Sequence, residues 1–95
     1  MDVDMDSTND MYFAATLLAY GAELLEIDRT NPRRQRFQFG GEIEQIFVKD
    51  TSKVVLRIES PTFDDVKTRF AGRTLLFPPS YVDAVRRIKA VIHDD

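Results

Sequence analysis

The sequence contains no cysteine, which excludes disulfides, thiolate metal sites and thiol nucleophiles, and suits a reducing cytoplasm. Histidine is almost as scarce. The single example, His93, stands at the end of the last expected helix, where its simplest role is to meet the final carbonyls. A general base would need positioned partners that the sequence does not supply. No apolar run approaches the ~20 residues of a membrane span. The opening Met1-Asp2-Val3-Asp4-Met5-Asp6 is acidic where a signal or transit peptide is basic. The expectation is therefore a soluble cytoplasmic protein with no membrane partner, no cofactor and no enzymatic activity.

Motifs with mechanism are scarce as well. Asp2, Asp4 and Asp6 alternate like the start of a calcium loop, but the sixth and twelfth places hold Ser7 and Phe13 instead of Gly and Glu. A solvated acidic segment is the better reading. Gly40-Gly41 follows a strand without any phosphate-loop pattern around it and reads as a turn or bulge. Asp64 and Asp65 are adjacent in a first helical turn, where they point in different directions and the helix dipole favours both. Pro78-Pro79 reads as a helix entry.

What is present is the composition of an ordinary globular domain: 95 residues, 43% hydrophobic and 31% charged. A chain of this size buries roughly 65% of its unfolded surface on folding, enough for one modest core. The net charge of −3 hides an asymmetry. Residues 1–28 carry seven acids and no base, whereas residues 29–95 carry thirteen bases against nine acids.

Residues 1–7 lack periodicity and read as a disordered acidic tail, leaving 8–95 as a single α+β domain. A first helix, capped by Ser7 or Thr8 with Asp10 in its first turn, runs from Met11 to Tyr20 and ends at Gly21. It is apolar almost all round, so it belongs in the core or at an interface, with Met11, Tyr12 and Tyr20 as the candidate protein-contact residues. Two alternating stretches, Ala22 to Asp28 and Arg34 to Phe39, flank a turn at Thr30-Asn31-Pro32 and predict a hairpin. Ile43 to Lys49 and Lys53 to Glu59 predict two more strands. A helix then starts at Ser60 or Thr62, the latter forming a capping box with Asp65, and stops at Gly72. After an extended link from Thr74 to Phe77, the last helix carries a core stripe of Tyr81, Val85, Ile88 and Ile92. Ser80 and Asp83 are spaced as its capping box, and Asp83 can pair with Arg87. The predicted order is α-β-β-β-β-α-α, with a small antiparallel sheet of three to four strands packed by three helices.

The strongest candidate site is the arginine cluster Arg29, Arg33, Arg34 and Arg36 at the first hairpin. Guanidinium forks recognise phosphate and exposed aromatics stack bases, so a nucleic-acid contact is one reading. Phe37 and Phe39, however, alternate with Arg34 and Arg36 and belong on the opposite, core-facing side. The plainer reading is a solvated charged strand partly neutralised by Glu23, Glu26 and Asp28, and a protein-binding patch is the third.

The run Thr8-Asn9-Asp10-Met11-Tyr12-Phe13-Ala14-Ala15-Thr16-Leu17-Leu18-Ala19-Tyr20-Gly21 resembles the opening helix of a family of small, uncharacterised phage and prophage proteins. Arg36-Phe37-Gln38-Phe39 resembles the Phe-x-Phe-like strand of that family, and Phe70 to Ile92 resembles its end, an aromatic followed by a short turn and a helix with Ile-Lys or Leu-Lys. The similarity spans about residues 8–40 and 62–92, while 41–61 is longer than the family allows. It implies a viral or prophage accessory protein, placed in the host cytoplasm, and brings no catalytic residues. The resulting expectation is a non-enzymatic binding module that contacts nucleic acid through the arginines. The alternative is a protein–protein module, either a homo-oligomer or a host-protein inhibitor whose acidic first segment mimics nucleic acid.

Overall fold

The computed structural model describes residues 6–30 and 35–93. Its elements are β1 (Asp6–Thr8), α1 (Met11–Ala19), β2 (Glu23–Asp28), β3 (Arg36–Gly40), β4 (Gln45–Lys49), β5 (Val55–Glu59), α2 (Phe63–Ala71) and α3 (Tyr81–His93). The class is α+β, as the sequence pattern predicts. Two details differ at the start. Asp6 and Ser7, expected in the tail, form β1 with Thr8 by pairing antiparallel with β3. The cap of α1 is Asp10, whose Oδ1 accepts from the Tyr12 and Phe13 amides at 2.9 and 3.2 Å. The Thr8 hydroxyl instead accepts from the Asp10 amide at 3.0 Å, so it braces the cap without being one.

The all-round apolar character of α1 is explained within the chain. Five consecutive residues, Phe13 to Leu17, are buried, because α1 packs along α3 and also touches α2, β1 and β2. The one polar member, Thr16, satisfies its hydroxyl by donating to the Tyr12 carbonyl at 2.8 Å.

Among the described residues five strands form two sheets instead of the single sheet expected. The first has the order β1-β3-β2, all antiparallel. Phe37 and Phe39 are buried and join the core with Phe13 and Leu17, as their alternation predicts. A bulge at Leu25 shifts the β2–β3 register between Leu24 and Glu26. Leu25 lies over Gly40, where a Cβ would stand 2.8 Å from its Cδ1, so the glycine makes room for the bulge.

The second sheet is the β4–β5 hairpin, with Ile46 and Val48 buried. Its other neighbour comes from far along the chain. The link after α2 lies beside β4, with Lys49 donating to the Thr74 carbonyl at 2.8 Å and Leu76 donating to the Phe47 carbonyl at 2.9 Å. The sheets separate at Gly41, which turns the chain at φ +82° before the irregular Glu42 to Glu44.

Thr62 and Asp65 form the predicted capping box of α2, with Asp65–Thr62 contacts of 2.9 and 3.0 Å, and Gly72 caps its end. At α3 the capping prediction is corrected. Ser80 turns its hydroxyl to the Ala19 carbonyl at 3.3 Å, and Asp83 lies 4.0 Å from Arg86 instead of pairing with Arg87. The stripe holds: Ala84 and Ile88 are buried and Tyr81, Val85 and Ile92 pack against them.

Candidate functional site

The arginine hairpin divides into three parts. Arg33 and Arg34 lie outside the described residues. Arg29, just past β2, donates from Nη2 to the Val91 carbonyl at 2.7 Å, in the last turn of α3. A cation there satisfies an unpaired carbonyl and meets the negative end of the helix dipole. Arg36 begins β3 opposite Asp28, yet its guanidinium reaches the other way, donating to the Ser7 hydroxyl at 3.1 Å on β1.

The acids expected to quench the cluster are only partly aligned with it. Asp28 is the cross-strand partner of Arg36, but Glu26 faces Gln38 and Glu23 faces Gly40. The Asp28 carboxyl is held below its ordinary range first by the Thr30 hydroxyl, at 2.6 Å, then by the Thr30 amide, with Arg36 the least of the favourable causes. Both arginines are exposed, and each has donors committed to its own fold.

The three residues of the first helix expected at an interface fare differently. Met11 is half-buried against the core, and Tyr12 is 51% exposed. Tyr20, half-buried, donates its hydroxyl to the Leu76 carbonyl and accepts from the Phe47 amide at 3.4 Å. It thus stands where β4 and the link would otherwise close their next ladder bond. Burial pushes the Tyr20 phenol up, against the lowering effect of the Phe47 amide.

Tyr20 is also a wall of an open groove of about 680 Å³. The groove runs between the end of α1, the outer face of β4 and the segment Leu76 to Pro79, with Phe47, Val55 and Phe77 as its further apolar lining. Glu42 and Glu44, both exposed, flank it. Phe77 is braced by Tyr81 at a ring distance of 4.6 Å and by Phe70 edge-on at 6.3 Å. Two prolines with fixed φ continue that wall. The groove is therefore formed in advance by parts that cannot easily collapse into it.

Sequence reasoning missed this groove. Its lining comes from four stretches of the chain, two of them far from the rest in sequence, and Phe47 looks like any other alternating strand residue. Phe77-Pro78-Pro79 was the available signal, an aromatic fixed beside two prolines.

Among the described residues no group of three or more His, Asp or Glu side chains could hold a metal ion. Asp65 is occupied by the α2 cap and is held below its ordinary range by the Thr62 amide first and its hydroxyl second. Also among the described residues, no helix is long and apolar enough to cross a membrane. Set against protein-family models, characterised proteins and solved structures, the chain matches none of them.

Proposed function

We propose that this protein is a non-enzymatic protein-interaction module, which takes an extended, apolar segment bearing a basic side chain into the groove beside Tyr20. The observation that carries this reading is the pairing of a preformed aromatic and proline wall with two flanking carboxylates. Phe77, 49% exposed, offers about 1–2 kcal/mol if a ligand covers the rest of its ring. Rigid walls spare the ordering cost that weakens most peptide binding. Glu42 and Glu44 supply the charge preference, favouring lysine or arginine next to the apolar residues.

The test is a fluorescence-anisotropy titration with short leucine- and proline-rich peptides that differ only in carrying lysine or glutamate at one flank. The lysine peptide should bind more tightly, lose affinity with added salt, and weaken against both Phe77→Ala and Glu44→Lys. Equal binding of both peptides, or binding indifferent to these two variants, would remove the groove as the site.

Nucleic-acid docking through Arg29, Arg33, Arg34 and Arg36 is the competing proposal. In its favour, Arg29 and Arg36 are exposed on the two strand ends that the connecting segment joins. Against it, both already donate to the Val91 carbonyl and the Ser7 hydroxyl, so a phosphate must displace or share those bonds.

A further inference from the structure

The β5 strand is built differently from the other sheet edges, and the difference concerns what can be added to it. Among the described residues it pairs with β4 on one side only. The free edge of β2 is interrupted by the Leu25 bulge and carries Glu23, Glu26 and Asp28. β1 is only three residues long. Bulges, charges and shortness are the usual protections against edge pairing. β5 has no bulge and is not cut short, and its charges are offset. Its register with β4 is regular over five pairs, it contains no proline or lysine, and its two charges cancel locally in an Arg57–Glu59 pair at 3.2 Å.

The hydrogen-bond phase shows which groups are on offer. Ser60 donates to the Glu44 carbonyl at 2.8 Å and Asp50 donates to the Val54 carbonyl at 3.2 Å. Residues 54, 56, 58 and 60 therefore turn their backbone groups toward β4, and Val55, Arg57 and Glu59 turn theirs outward. Val54, Val55 and Leu56, next to one another, remain 50%, 55% and 47% exposed.

We propose that β5 is a self-association edge: two copies pair their β5 strands antiparallel about a twofold axis at Leu56, joining two hairpins into one sheet. Keeping the apolar face continuous allows only registers in which a residue lies on the axis. An axis at Arg57 sets two guanidinium groups directly opposite each other, which is unfavourable. An axis at Ile58 sets Leu56 against Ser60, beyond the end of the strand, and leaves Val54 uncovered. An axis at Leu56 pairs Leu56 with its copy and Val54 with Ile58, and it brings Lys53, in the turn before β5 at φ +67°, to the level of the partner copy's Glu59. That register covers Val54 and Leu56 on their shared face and brings unlike charges near one another at both ends. The proposal does not rest on the groove reading, although the two surfaces meet at Val55, which lines the groove and also stands on the β5 edge.

The test is the mass of the full chain by light scattering and sedimentation equilibrium over a concentration series. The 10.9 kDa chain should run at twice its mass. Leu56→Lys, on an exposed strand position, should return it to a monomer with an unchanged circular dichroism spectrum. Glu59→Lys should weaken the dimer by about tenfold, since its clash with Lys53 occurs twice across the axis. Adding Lys53→Glu to the same chain should restore it. A wild-type monomer at the highest attainable concentration would overturn the proposal, as would a dimer indifferent to both Leu56→Lys and Glu59→Lys. Rescue of Glu59→Lys by Arg57→Glu and not by Lys53→Glu would overturn this register.

Discussion

The Tyr20 hydroxyl completes a β-ladder at Leu76: it donates to the Leu76 carbonyl while accepting from the Phe47 amide, and so replaces a direct bond between the two backbones. One side chain at the end of α1 thereby fixes the spacing of β4 and the link, and with it one wall of the groove. Tyr20→Phe removes both bonds and leaves the partly buried Leu76 carbonyl without that partner, while the Phe47 amide, on an exposed residue, can turn to water. The expected loss is about 1–3 kcal/mol in urea unfolding. An unchanged midpoint would mean that the strands close up and bond directly.

The same phenol contributes to the alkaline limit of stability. Tyr20 and Tyr81 are both raised above 10.0, Tyr20 chiefly by burial, and Tyr81 by burial and then by the neighbouring Tyr12 and Asp10. A folded-state pKa above the unfolded value means stability that is complete below 10.0 and is lost as pH rises through the folded values. At the acid end the sign reverses. Asp28, Asp50 and Asp65 lie below 3.8, held first by the Thr30 hydroxyl, the Ser52 hydroxyl and the Thr62 amide respectively. Their contribution is complete above 3.8 and is lost as pH falls through their folded values. Urea midpoints across pH should therefore form a plateau between these limits. Tyr20→Phe should shallow the alkaline fall.

How far the fold was legible depended on the range over which each signal acts. The Thr62–Asp65 box spans three residues and needs nothing else, so its spacing was sufficient. The same spacing at Ser80 and Asp83 gave the wrong answer, because Ala19 offers Ser80 a carbonyl from another helix. Phe37 and Phe39 were legible as core through period-two alternation. β1 was not, since three polar residues form a strand only because β3 bonds them. The division into two sheets was hidden for a related reason. β4 takes its second neighbour from Thr74 to Leu76, a pairing that no local pattern announces.

Arg29 is expected to matter for α3 before it matters for any ligand. Arg29→Ala removes the 2.7 Å bond to Val91 and a cation from the helix C-terminus, which should cost about 0.5–1 kcal/mol. Arg29→Lys should recover part of that through charge alone. On the groove reading, a mobility-shift titration with duplex DNA at low salt should give no saturable complex. Binding with a log K against log[salt] slope near ~−2.7, as three phosphate contacts require, and lost on replacing all four arginines, would favour the nucleic-acid proposal instead.

The paired glycines at the end of β3 separate a steric demand from a conformational one. At Gly40 the added methyl of Gly40→Ala meets Leu25 Cδ1 at 2.8 Å, but Leu25 is 48% exposed and can swing outward. The alanine also restricts the unfolded chain, so the net cost should stay below about 1 kcal/mol. At Gly41 the nearest atom, Glu23 Cβ, lies 3.7 Å away, yet φ is +82°. No rotation of a neighbour relieves that backbone, and Gly41→Ala should cost about 1–2 kcal/mol. Guanidinium unfolding of the two variants should therefore rank Gly41→Ala as the more damaging. The opposite ranking would mean that Leu25 cannot move, and that the bulge in β2 is clamped from its outer side.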